Sequence, residues 1–158
     1  MSTPRALILA AGLSTRLGTL SSERPKPLMP VCDVPLLRYA IALLAGHGVT
    51  EIAINLHHLG QQIVDELGDG RAVGVSIKYS WEDEILGTGG GIKRLAAFLT
   101  QDGRESAFIV NGKILIDVDL HAVLALHRRL DAVATMVLRP VPDAEKWGAI
   151  DADGERVV

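Results

Sequence analysis

At 158 residues, with 48% hydrophobic side chains and a mean hydropathy of +0.26, the chain has the size and apolar content of one ordinary domain with a buried core. A formal net charge of −3 and 4% aromatic residues supply neither the basic surface nor the stacking platforms that a nucleic-acid or acidic-membrane partner requires. There is no apolar run of about 18 residues and no basic-then-apolar leader, so neither a membrane span nor a signal peptide is expected; the single cysteine, Cys32, forms no internal disulfide and fits a reduced, cytoplasmic setting.

Apolar runs then alternate with amphipathic ones. RALILA (5–10) reads as a buried strand. PLLRYAIALLAGHG (35–48) sets Leu36, Leu37, Ala40, Ile41 and Leu44 at helical spacing and closes on Gly46 and Gly48. TEIAINL (50–56) is a strand, LGQQIVDELGDG (59–70) a short helix, and VSIKYSW (75–81) a third strand. GGGIKRLAAFL (89–99) predicts a helix that starts after a glycine run, followed by the strand SAFIVN (106–111). Asp119 caps a helix running to about Leu130, and AVATMVLRP (132–140) predicts one more strand. This alternation, with near-continuous apolar strands, predicts an α/β chain: a Rossmann-like, doubly wound, mostly parallel sheet covered on both faces, within one domain over 1–158.

In such sheets ligands bind beyond the carboxyl ends of the strands, which directs attention to loops 10–30, 80–91, 111–119 and 139–148. The first loop carries no G-x-G-x-x-G and no Gly-Lys-Ser/Thr after Gly12, and no acidic residue ends the second strand, where Asn55 and Leu56 stand. Both observations argue against a dinucleotide or Walker-type site. Instead the loop offers backbone N–H groups at 11–15, the guanidinium fork of Arg16, and Lys26 held between prolines in RPKPLMPV (24–31). Nests and arginine suit spread phosphate oxygens and a lysine suits one developing charge, so the set matches a triphosphate. His57 and His58 are adjacent, point apart and have no further ligand at zinc spacing.

LAAGLSTRL, RPKPLMPV, HHLGQQI, ILGTGGGI and WGAIDADG together resemble the sugar-phosphate nucleotidyltransferases, also called NDP-sugar pyrophosphorylases, over nearly the whole chain. The nearest likeness is to members acting on N-acetylmuramate 1-phosphate or mannose 1-phosphate. The resemblance implies the nucleotide-diphospho-sugar transferase type of fold. It also implies a reaction in which a sugar 1-phosphate attacks the α-phosphorus of an NTP, UTP or GTP being favoured, and pyrophosphate leaves. On that pattern Arg16 clamps the pyrophosphate and Lys26 offsets the α-phosphate. Ala11 and Gly12 face the nucleotide, Glu82 reads the base edge, and Thr88 and Gly89 flank the base. Asn111 and Gly148 would meet the sugar phosphate. A homo-oligomer is compatible with the resemblance.

Two departures qualify the expected activity. The family cofactor is Mg²⁺, but Lys113 stands where the pattern has a metal-binding Asp, so no metal ligand is assigned. After Trp147-Gly148 the pattern continues with Glu-Lys-Pro and a second metal-binding Asp, neither of which precedes Val158. The sequence is therefore read as the nucleotide-binding front of a transferase with an incomplete acceptor part. The alternative to an active enzyme is a catalytically silent module that binds a nucleotide or an NDP-sugar.

Overall fold

The computed structural model describes residues 3–13 and 19–158, which divide into two compact units at Leu120/His121. The first is built on four parallel strands: β1 (Arg5–Leu9), β4 (Glu51–Leu56), β5 (Ser76–Trp81) and β6 (Ala107–Asn111), in the spatial order β5-β4-β1-β6. Between β1 and β4 lie the short helix α1 (Leu20–Glu23), the small hairpin β2 (Pro30–Val31) with β3 (Val34–Pro35), and α2 (Leu36–Gly46). The helices α3 (Gly60–Leu67) and α4 (Gly87–Leu99) make the later crossovers.

Side chains of a strand alternate between faces, and this alternation divides the core in two. Ala6, Ile8, Ile52, Ile54 and Leu56 pack with Leu37, Ile41 and Leu44 of α2 and Ile63 and Leu67 of α3. Leu7 and Ala53 face the other way, against Leu95 and Leu99 of α4. The central strands β1 and β4 are buried on both sides and so read as near-continuous apolar runs, whereas the edge strands β5 and β6 alternate between partly buried and exposed positions. The expected doubly wound parallel sheet is what the first unit shows.

Charge is held at the amino ends of these strands. Arg5 is 5% exposed, and all three of its guanidinium nitrogens donate: Nε and Nη2 to Glu51 Oε1 (3.0 and 2.6 Å), Nη1 to the Phe98 carbonyl and Gln101, and Nη2 to Asp102 (3.3 Å). Its Cζ also lies 4.6 Å from the centre of the Phe98 ring. Arg104 pairs with Glu51 and Asp102 from the other side. The clamp ties β1, β4 and the turn after α4 together.

The second unit contains α5 (Leu120–Arg129), whose first residue closes the first unit, and a hairpin of β7 (Ala152–Asp153) with β8 (Arg156–Val157). Arg129 pairs with Glu155 at 2.9 Å.

Two expectations change. Helix α4 begins at Gly87, so Gly89, Gly90 and Gly91 lie inside its first turns rather than before it. Close packing accounts for two of them: a Cβ on Gly90 would meet Leu86 Cβ at 2.7 Å, and one on Gly91 would meet Asn55 Nδ2 at 2.9 Å. Residues 132–140 form no strand. A strand exists only as part of a hydrogen-bonded ladder, and within their own unit the one ladder described is closed between β7 and β8. Val133, Met136, Val137 and Leu138 are accordingly exposed.

Candidate functional site

Strand register builds the site. Leu9, at the carboxyl end of β1, pairs with Asn55 on one side and Asn111 on the other, so two amides flank it across the rim of the sheet. The chain winds outward from β1 to β4 and β5, then returns to β6 on the opposite side. The rim around β1 is thus the point where strand order reverses, the usual ligand position in open α/β sheets. A cleft of about 360 Å³ opens there.

Ala10, Ala11, Gly12 and Leu13, after β1, form one wall; Ile85, Gly87 and Thr88, before and at the start of α4, form another, and Asn55 and Asn111 line the cleft with Lys26, Pro27 and Lys113. Lys26 opens a tight 3-10 turn, Lys26–Leu28, between Pro25 and the buried Pro27. Leu28 N–H donates to the Pro25 carbonyl at 2.9 Å, so the proline-fixed path presents the lysine from an anchored backbone. Lys113 follows the turn at Gly112, whose N–H donates to the Leu9 carbonyl (3.0 Å). A Cβ on Gly112 would meet Ile8 Cγ2 at 2.9 Å, so glycine permits that approach. Among the described residues, the cleft's ionic lining is two lysines, with no carboxylate.

Of the residues singled out in the sequence, Ala11, Gly12, Lys26, Thr88, Asn111 and Lys113 meet in this cleft. Arg16 lies outside the described residues. Gly148 belongs to the second unit, with φ +90°. Gly89 sits in the first turn of α4 with open space where a side chain would begin, and is not part of the lining.

Glu82, expected from the resemblance to read the base edge, sits behind the cleft lining. It is 3% exposed and does not line the cleft; its Oε1 accepts from Asn55 Nδ2 (2.9 Å) and its Oε2 from the Leu86 N–H (3.0 Å). Burial requires hydrogen-bond partners for a carboxylate, and it finds them within the protein. Sequence reasoning passed over Asn55 as a site residue. Its signal was a lone amide in the otherwise apolar strand EIAINL, one residue before the strand ends.

A family model described as Nucleotidyl transferase matches residues 5–158. The chain is 44% identical over 119 residues to the N-acetylmuramate alpha-1-phosphate uridylyltransferase of Neisseria meningitidis serogroup B, covering 75% of this chain and 50% of that one. It is 35% identical over 154 residues to the mannose-1-phosphate guanylyltransferase of Mycobacterium tuberculosis, covering 97% of this chain and 42% of that one. Among solved structures it resembles HddC from Yersinia pseudotuberculosis complexed with GMP-PN, with a TM-score of 0.67 and 28% identity, over 79% of this chain and 54% of that chain. The chain thus spans about half the length of each of these three proteins.

Proposed function

Because this chain belongs to the nucleotidyl transferase family, we propose that its cleft receives a nucleoside triphosphate, uridine or guanosine, for transfer to a sugar 1-phosphate with release of pyrophosphate. The observation that carries this reading is a cleft at the reversal of strand order whose ionic lining, among the described residues, is Lys26 and Lys113. The names of the relatives support uridine and guanosine as bases and N-acetylmuramate or mannose as sugars. A cytoplasmic setting suits an enzyme that draws on the NTP pool.

In this reaction an oxygen of the sugar phosphate attacks the α-phosphorus, and the bond to the bridging oxygen of pyrophosphate breaks. Both reactants are anions, so the protein's contribution is positioning and positive charge. Lys26, on its proline-anchored turn, offsets charge on the α-phosphate as the attacking oxygen approaches. Lys113 pairs with a phosphate oxygen from the β6 side. Arg16, if it follows the family pattern, takes the leaving pyrophosphate.

Mg²⁺ does not fit this donor set. The ion asks for hard oxygen ligands, commonly carboxylates, in an octahedron. Among the described residues the cleft offers two ammonium groups, which repel it, and the amides of Asn55 and Asn111. That mismatch favours a second reading, a module that binds the nucleotide without turning it over.

Calorimetric titration of the chain with UTP, dTTP, GTP and ATP tests binding. Saturable binding of UTP or GTP is expected, and no binding by any of the four overturns the nucleotide reading. Pyrophosphate release in the presence of a sugar 1-phosphate and Mg²⁺ separates the two readings: turnover supports the transferase, and binding without turnover supports the silent module.

A further inference from the structure

Both walls of the cleft are tied to one buried pair of side chains. Ala10 N–H donates to Asn55 Oδ1 (2.8 Å), Asn55 Nδ2 to Glu82 Oε1 (2.9 Å), and Leu86 N–H to Glu82 Oε2 (3.0 Å). Asn55 and Glu82 are each 3% exposed. His57 Nδ1 lies 2.8 Å from the Glu82 backbone carbonyl; a carbonyl only accepts, so the ring nitrogen donates and fixes the backbone there. Gly91 leaves the room the pair occupies: a Cβ at that position would stand 2.9 Å from Asn55 Nδ2 and 3.3 Å from Glu82 Oε1. The bonds converge on the Glu82 carboxylate, which accepts from Asn55 at one oxygen and from Leu86 at the other, while the Asn55 amide accepts from Ala10 and donates to Glu82.

We propose that Asn55 and Glu82 are positioning residues that hold the 85–88 wall at a set distance from the 10–13 wall, and that this spacing governs affinity for the nucleoside part of the ligand. The inference rests on the nucleotide reading above. The cations explain why the nucleoside is the part concerned. Lys26 and Lys113 arise from other segments, and Ile85, Gly87 and Thr88 bring no charge, so phosphates go to the lysines and the uncharged wall meets the nucleoside. Glu82 then acts through Leu86 and Asn55 without touching the ligand.

Reversing the relay's polarity tests this. Glu82→Gln turns one NH₂ toward either Asn55 Nδ2 or the Leu86 N–H, a donor facing a donor. Asn55→Asp sets two carboxylates against each other. In Asn55→Asp/Glu82→Gln, the new carboxylate accepts from Ala10 and from the new amide, whose oxygen accepts from Leu86, and every bond is restored. The full chain and its variants are titrated with UTP, GTP and inorganic pyrophosphate well below their unfolding midpoints. A pair that only stabilises the fold would leave affinities unchanged under those conditions.

Each single substitution is expected to weaken nucleotide binding about tenfold, the scale of a buried group left facing the wrong partner, with pyrophosphate affinity nearly unchanged and the double variant close to the native chain. Equal losses for nucleotide and pyrophosphate, unchanged affinities in the singles, or no recovery in the double variant overturn the proposal. Should a single variant fail to fold, Gly91→Ala keeps every polar group, favours the helix and pushes on the pair; it must weaken nucleotide but spare pyrophosphate. If the native chain binds no nucleotide, the parent reading falls and the inference with it, whereas native binding without recovery in the double variant overturns the pair alone.

Discussion

Lys26 and Lys113 hold the same charge on very different supports, and they should respond differently to substitution. Lys26→Ala removes a cation from an anchored turn. It should weaken triphosphate binding about tenfold at low salt and less at high salt, because exposed charges are screened over about 8 Å at physiological ionic strength. A loss independent of salt would mean that Lys26 supports the loop and does not pair with phosphate. Lys113→Asp converts +1 to −1. At 4 Å and an effective dielectric of 20 each unit charge contributes about 4 kcal/mol before screening, so the reversal should make nucleotide binding respond to Mg²⁺ where the native chain does not. Calorimetry with and without Mg²⁺ decides it; an identical Mg²⁺ response in both chains would contradict the charge argument. Tyr79 offers a test unrelated to ligand. Its hydroxyl donates to the Gly68 carbonyl at 2.7 Å, and burial, then the Asp69 carboxylate, pushes its pKa up to about 12. The neutral phenol is thus favoured in the folded state, a contribution fully present below the unfolded value of about 10 and lost as pH rises through the folded value near 12. The stability difference between the native chain and Tyr79→Phe should narrow across that window in denaturant titrations. A constant difference would show that the hydroxyl titrates alike in both states.

At the scale of elements, sequence pattern and structure agree where burial alone decides. The strands at 5–9, 51–56, 76–81 and 107–111 and the helix at 36–46 are visible as apolar runs or helical spacing because each packs against a core face. Lys26, Ala11, Gly12, Thr88 and Asn111 were singled out for another reason, their place in short motifs at the carboxyl ends of the strands, and the structure brings them to one cleft. The glycine run misled because three consecutive glycines look like a helix start, whereas here Gly90 and Gly91 let α4 pack against Leu86 and Asn55. Segment 132–140 misled because a β-branched, apolar composition is necessary for a strand and a pairing partner is also required. The Asn55–Glu82 bond was illegible because it joins positions 27 residues apart. Helix α4 also supports a direct test of packing. Leu95→Ala empties space beneath Leu7 and Ala53 and should cost about 2–5 kcal/mol in denaturant unfolding. A loss below about 1 kcal/mol would mean that α4 collapses onto the vacancy.

On the scale of the first unit, the parallel sheet has two unlike rims. Every strand starts at the rim where Arg5, Glu51, Asp102 and Arg104 interlock and ends at the rim that forms the cleft. Arg5→Leu strands the Phe98 carbonyl and Gln101 without their donor, and should lower stability by about 1–3 kcal/mol with nucleotide affinity unchanged. Comparing unfolding midpoints with calorimetric affinities checks this, and a parallel loss of affinity would contradict the separation. At about 3.3 Å per residue the length of β1 puts some 16 Å between the rims, roughly two screening lengths at physiological salt. For anyone re-engineering this chain, the two ends are therefore independent dials. Heat tolerance and salt tolerance should answer to changes in the charged starts of the strands, while ligand preference, on the proposed nucleotide reading, should answer to changes at their tips.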